Sequence, residues 1–208
     1  MENKKNGVFF TIEGIEGVGK STALYFIANF LKEKNKEVLL TREPGGTLVA
    51  ENIRQILLTP TPEKILPETE LLLMFASRIQ HIAHVIQPAL QSGKWVVSDR
   101  FTDASFAYQG GGRKIDKVYI EMLEKWLVQD LRPDITILLD ASPEIGLQRA
   151  KHRGPHDRIE MEKLEFFERV RAAYLARAEK DPARFRIINA AQPLANVQAD
   201  IQKILETL

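Results

Sequence analysis

The segment Gly14-Ile15-Glu16-Gly17-Val18-Gly19-Lys20-Ser21 fills all four fixed positions of the pattern G-x-x-x-x-G-K-[ST]. An apolar run, Val8-Phe9-Phe10-Thr11-Ile12, precedes it, and Leu24, Ile27, Ala28 and Leu31 follow at helical spacing. A strand that turns through glycines into a helix brings free backbone N–H groups against an anion. Glycine tolerates the close approach, and the helix start carries partial positive charge. The segment therefore implies binding of a nucleotide's phosphates. Lys20 is placed to reach the β- and γ-phosphates, and the Ser21 hydroxyl to meet Mg²⁺.

Further short apolar runs read as strands over residues 38–41, 95–98, 135–139 and 185–188. Between them the periodicity predicts helices over 21–35, 68–91, 115–131, 143–151, 160–179 and 193–205, and another running to about Leu58 behind a Thr47 cap. Pro88 is expected to kink or shorten the long helix. Residues 44–46, 110–112 and 152–159 read as loops. Strands and helices thus alternate, which argues an α/β fold with a doubly wound, mainly parallel sheet covered on both faces. The 208 residues suit one domain, and no linker or repeat interrupts them.

Composition removes several function classes. With 29 Lys and Arg against 28 Asp and Glu, no basic surface for nucleic acid is expected. There is no cysteine, hence no disulfide, thiolate zinc site or thiol nucleophile. The polar start, Met1 to Gly7, lacks a signal-peptide core, and no apolar run is long enough to span a membrane. A cytoplasmic protein is expected.

Three absences narrow the kind of phosphate-loop protein. Asp99 is followed by Arg100, not by the second acid of a water-activating ATPase. The guanine-reading Asn-Lys-x-Asp is not matched by Asn3-Lys4-Lys5-Asn6, and a protein kinase would use another glycine pattern. What remains is an arginine at the end of a central strand, where ligands of such sheets bind. Arg54, Arg78 and Arg113 fall around it, and Arg149, Lys151 and Arg153 cluster further on. Arg78 lies within an apolar helix face, where a lone charge is costly, so a buried anionic partner is expected. Two basic groups around one phosphate loop suggest two phosphorylated ligands meeting head to head.

From residue 9 to the last helix the chain resembles the thymidylate kinase family. The matching motifs are Ile12-Glu13-Gly14 with the phosphate loop, Thr41-Arg42-Glu43-Pro44-Gly45-Gly46-Thr47, Asp99-Arg100-Phe101, Ala107-Tyr108-Gln109-Gly110-Gly111-Gly112-Arg113 and Asp157-Arg158-Ile159-Glu160. The resemblance implies a nucleoside monophosphate kinase with a five-stranded parallel sheet of order 2-3-1-4-5. It implies ATP-dependent conversion of dTMP to dTDP, Mg²⁺, a homodimer, and a lid at about residues 149–160. The loop's variable positions hold Ile15, Glu16, Gly17 and Val18, with no arginine, which is similar to the family's bacterial form; that resemblance implies that the basic catalytic residues sit in the lid, as Arg149, Lys151 and Arg153.

Carried over residue by residue, Gly14 to Ser21 and Gln192 would serve ATP, and Ser21 and Asp99 the metal. Arg54 and Arg100 would hold the dTMP phosphate, Glu16 the 3′-hydroxyl, and Glu43 would lie near the shared phosphates. Arg78, Ser105 and Gln109 would line the thymidine pocket, with Tyr108 crowding the ribose 2′ position. The family has Phe four residues before this arginine, where the chain has Met74 followed by Phe75. On a helix these point about 100° apart, so either Met74 or a rotated Phe75 would cover the base. No general base is expected, because the acceptor phosphate is already nucleophilic, and Asp140 is read as a turn acid.

Apart from the resemblance, only Arg78 argues for thymine. A kinase for another nucleoside monophosphate or for a deoxynucleoside is one alternative, and a non-catalytic binding module another. Turnover across a panel of monophosphates separates the three.

Overall fold

The computed structural model describes residues 7–151 and 157–208. Five strands, β1 (Phe9–Glu13), β2 (Val38–Arg42), β3 (Trp95–Asp99), β4 (Ile135–Asp140) and β5 (Phe185–Asn189), form one parallel sheet in the order β2-β3-β1-β4-β5. The order expected from the family resemblance is thus the observed one. Phe9, Phe10, Thr11, Ile12 and Glu13 of β1 are all buried. Phe9 packs with Leu71, Phe75, Ile86 and Phe101 on one face, while Phe10 and Ile12 pack with Ile27, Phe167 and Ile201 on the other. A strand covered on both faces reads as a continuous apolar run, which is the pattern the sequence shows.

The helices are α1 (Lys20–Glu33), α2 (Leu48–Leu58), α3 (Pro67–His81), α4 (Gln87–Gln91), α5 (Thr102–Ser105), α6 (Lys117–Leu123), α7 (Pro143–Ala150), α8 (Leu164–Lys180) and α9 (Leu194–Leu205). Thr47 caps α2 by accepting from the Ala50 N–H at 3.1 Å. Among the described residues no helix is long and apolar enough to cross a membrane.

Four readings need correction. The helix expected over 68–91 runs in one direction but widens to a π-helical segment at Ile82–Ile86 between α3 and α4. Pro88 has no N–H to donate, and its ring would clash with the carbonyl four residues back. The wider turn relieves that, and the Gln87 N–H reaches back to Ile82 O.

Residues 110–112 are not a loop. They end a π-helical segment, Phe106–Gly112, that continues α5 and lies against α8. A Cβ at Gly112 would sit 2.4 Å from the Phe166 ring, and one at Gly111 2.7 Å from Ala173. These glycines serve close packing between helices, not a turn.

α8 begins at Leu164, later than the expected Glu160. Before it, Asp157 Oδ1 accepts from the backbone N–H groups of Ile159 and Glu160, which holds a turn there. The expected helix over 115–131 likewise divides into α6, capped by Asp116, and a π-helical segment at Glu124–Val128. Gln129 at φ 56° ends it.

Candidate active site

The β1 chain leaves the sheet at Glu13 and turns through the glycine loop into α1. Two glycines are forced. Gly14 has φ +137° with its would-be Cβ 2.5 Å from Leu139 O, and Gly17 has φ +74° with its would-be Cβ 1.8 Å from Gly146 O. Any larger residue would push the loop off β4 and α7. Ile15 and Val18 bury their side chains in the core, so only their backbone can meet a phosphate. Lys20 Nζ folds back to donate to Ile15 O at 2.8 Å. Burial, helped by the nearby Arg100 charge, lowers the Lys20 ammonium to about 8.

A cavity of about 230 Å³ opens above the C-terminal ends of β1 and β3. Glu16, Gly17, Gly19, Lys20, Ser21, Glu43, Arg54, Met74, Arg78, Asp99, Arg100, Ser105, Tyr108 and Gln109 all line it. Residues from six separate stretches of sequence therefore meet at one place.

Arg100 sits at φ 74°, a conformation that non-glycine residues rarely adopt. The surroundings over-determine it. Its N–H donates to Ile12 O at 3.0 Å, and its guanidinium donates to Glu16 Oε1 at 2.8 Å and to Tyr174 Oη at 3.2 Å. Tyr174 Oη in turn donates to Glu13 Oε2 at 2.7 Å, and Glu13 Oε1 accepts the Phe101 N–H at 2.7 Å. Burial, with the Asp103 charge nearby, pushes the Glu13 carboxyl up to about 8. Tyr108 Oη donates to both oxygens of Glu16, at 2.8 and 2.7 Å. Glu16 and Arg100 are thus held in place before any ligand arrives, with the strain of Arg100 retained at the site.

Arg78 is 2 % exposed and has the anionic partner its apolar helix demanded. Its Nε donates to Glu43 Oε2 at 2.7 Å, Nη1 to Ser105 Oγ at 2.9 Å, and Nη2 to Phe101 O at 2.9 Å. Two of its five N–H groups remain. Glu43, expected near shared phosphates, spends its oxygens on Arg78 and on His81 Nδ1 at 3.1 Å. Arg54 donates to Pro44 O at 2.9 Å. Burial and the neighbouring Arg42 charge lower its guanidinium, so positive charge there lacks full compensation and an anion would be favoured.

The helix phase separates Met74 from Phe75. Met74 lines the cavity, whereas Phe75 is 1 % exposed within the core on the β1 side. Phe75, the other candidate for covering the base, does not line the cavity; its ring supports Arg78, whose guanidinium carbon lies 4.8 Å from the ring centroid.

Arg149 and Lys151 do not line the cavity, whereas Asp157, Ile159 and Glu160 of the same segment do. Arg149, near the end of α7, donates to Ala190 O at 2.8 Å, and Lys151 is exposed. Arg153 lies outside the described residues. Gln192 donates to Asp200 Oδ2 at 2.8 Å and does not reach the cavity wall. Asp140 takes a two-point ion pair with Arg171 at 2.7 and 2.8 Å, which fits its reading as a structural acid.

Sequence reasoning missed Glu13, Glu70, His81 and Tyr174, all buried beside the site. Glu70, Ser77, Arg78 and His81 recur at helical spacing inside an otherwise apolar face. That stripe of polar residues was the available signal.

A family model described as Thymidylate kinase matches residues 12–201 of the chain. A thymidylate kinase of Pseudomonas savastanoi pv. phaseolicola is 54% identical over 202 residues, covering 97% of this chain and 96% of that protein. One from Alcanivorax borkumensis is 49% identical over 203 residues, with 98% of each covered. A crystal structure of thymidylate kinase from Ehrlichia chaffeensis superposes with a TM-score of 0.78 at 34% identity, covering 96% of this chain and 98% of that one.

Proposed function

The chain belongs to the thymidylate kinase family, and on that premise we propose how its residues divide the work. The enzyme phosphorylates dTMP to dTDP with ATP, a step of dTTP synthesis. The observation that carries the division is one cavity with two cationic sets on its walls, Lys20 of the phosphate loop and Arg54 with Arg100.

The triphosphate of ATP lies along Gly14 to Ser21, where backbone N–H groups and Lys20 bind its oxygens. Its adenine lies toward residues 189–193, with Gln192 among them. The dTMP phosphate takes Arg54 and Arg100, whose forks suit a two-point anion contact. Glu16 accepts the 3′-hydroxyl, and Tyr108, held against Glu16, leaves no room for a 2′-hydroxyl. The base rests on Met74 between Arg78, Ser105 and Gln109, with Glu43 acting through Arg78.

A dTMP phosphate oxygen attacks the γ-phosphorus in line, the bond to the β–γ bridging oxygen breaks, and ADP leaves. The acceptor's second pKa is about 6, so at neutral pH it is mostly a dianion and needs no base. Catalysis is alignment and charge compensation by Lys20, Arg100 and the lid residues Lys151 and Arg153, with Arg149 bracing the ATP side of the lid.

A divalent cation fits the donors. Asp99 Oδ1 is buried with no hydrogen-bond partner among the described residues, and Ser21 offers a hydroxyl on the same wall. Two hard oxygen donors without a larger acidic cage suit Mg²⁺, which keeps waters and phosphate oxygens as its other ligands. When bound it would neutralise charge on the β- and γ-phosphates.

On α3, Leu72 and Ile79 are 58% and 37% exposed, an apolar face fit for a symmetric copy, so the enzyme is read as a homodimer. The cytoplasm is the compartment this reading implies, and neither nucleic acid nor membrane is a partner.

A coupled ADP-release assay tests the division. Turnover with dTMP, dependent on Mg²⁺, should exceed that with CMP, UMP or dCMP. Preference for a ribonucleotide would overturn the Tyr108 and base-pocket assignments. Sedimentation should give twice 23.6 kDa, and a monomer at micromolar concentration would remove the dimer.

A further inference from the structure

Gln109 is fully buried and lines the cavity, yet its two amide ends are treated unequally. Nε2 donates to Glu70 Oε1 at 2.8 Å, while Oε1 is buried with no hydrogen-bond partner among the described residues. Glu70 itself is 0% exposed at the start of α3. Its carboxylate also accepts from Arg113 Nε at 3.1 Å and from Arg158 Nη2 at 2.5 Å. Burial alone would raise the Glu70 carboxyl, but Arg113, with Gln109 and Arg158, holds it below the usual carboxylate range. Glu70 is therefore an acceptor with no proton to give, and only the NH₂ end of Gln109 can face it.

We propose that Glu70 is a positioning residue for base selection: by claiming the Gln109 amide nitrogen, it presents the Gln109 carbonyl oxygen to the cavity as an acceptor that a ring N–H of the base must satisfy. This rests on the reading that the base lies beside Gln109. A pyrimidine with a protonated ring nitrogen, thymine or uracil, supplies that donor. Cytosine offers a lone pair at the same ring position, so two acceptors would face each other in a buried site, where an unmade hydrogen bond is costly. The amide cannot turn round to suit cytosine without setting its oxygen against the Glu70 carboxylate. Arg158 donates its backbone N–H to Leu58 O and its Nε to Leu57 O, so the Glu70 cluster is anchored to the end of α2.

The test compares kcat/KM for dTMP and dCMP in the wild type, Glu70→Gln and Gln109→Ala. Glutamine at 70 can donate as well as accept, so the 109 amide becomes free to present either end. The dTMP-to-dCMP ratio should fall about tenfold or more, the scale of one buried hydrogen bond lost or mispaired. Most of the change should appear in KM, because the interaction is made in the ground state as well as the transition state. A folded Glu70→Gln enzyme with the wild-type ratio, while Gln109→Ala lowers it, would overturn the role of Glu70 and leave Gln109 as a base contact. An unchanged ratio in Gln109→Ala would show that the base does not lie there, and the proposal would go with that reading. A measurement on the unaltered protein covers the case in which Glu70→Gln does not fold. A scalar coupling across the hydrogen bond from Gln109 ¹⁵Nε2 to the Glu70 carboxylate ¹³C should persist when dTMP binds, and its loss on binding would overturn the proposal.

Discussion

Lys20→Ala is expected to lower kcat by roughly 10²–10³-fold or more, the scale for one preorganised electrostatic contact, with the fold intact. Its ammonium sits at the base of the glycine loop, 2.8 Å from Ile15 O, and belongs to neither apolar core cluster. Removing it leaves no cavity among packed side chains. The lowered value of about 8 shows that the free site holds this charge at a cost, with burial and Arg100 working against it. A triphosphate reverses the balance by bringing several negative charges within reach. The charge is then worth most where the γ-phosphoryl is shared between donor and acceptor, so its loss should fall on kcat more than on KM. Circular dichroism and thermal melting would establish the fold, and single-turnover kinetics the chemical step. A folded variant with near-normal kcat would refute the role of Lys20.

The parts of the fold that were legible in the sequence are those set by local pattern. The apolar run before Gly14, buried on both faces of the sheet, and the cap at Thr47 are visible without any partner. The π-helical segments were not, because periodicity does not register one residue inserted into a turn. At Gly110 to Gly112 the composition pointed to a loop, whereas the cause was the closeness of Phe166 and Ala173 on a distant helix. The site divides similarly. Lys20, Arg78 and Arg100 stand out as charges next to glycines or apolar faces. Glu13, Glu70 and Tyr174 do not, because what they do depends on residues 161, 88 and 43 positions away. The helix phase that separates Met74 from Phe75 is set by the packing of α3 against β1 and is absent from the local sequence.

The lid is where two basic residues should prove to have different work. Arg149 donates to Ala190 O at 2.8 Å, so its guanidinium joins α7 to the loop after β5, on the side proposed for adenine. Arg149→Ala should therefore raise KM for ATP and change kcat little, since that contact serves both ground state and transition state. Arg153 follows Arg149 by four residues, and its placement lies outside the described region. The loop Gly14 to Ser21 carries no arginine of its own, and Arg78 is committed to Glu43, Ser105 and Phe101. Arg100 is claimed by Glu16 and Tyr174 and is assigned to dTMP. A second cation for the γ-phosphoryl oxygens, beside Lys20, is then expected from the lid. Arg153→Ala is expected to lower kcat by roughly 10³-fold, the lower end of the range for such arginines, with KM for dTMP nearly unchanged. The comparison is made in steady-state kinetics on both variants at saturating Mg²⁺. Equal kcat losses in the two would show that the lid acts as a unit. A rise in KM alone for Arg153→Ala would make it a binding residue, and no effect from Arg149, Lys151 and Arg153 replaced together would show that the cluster is a solvated surface.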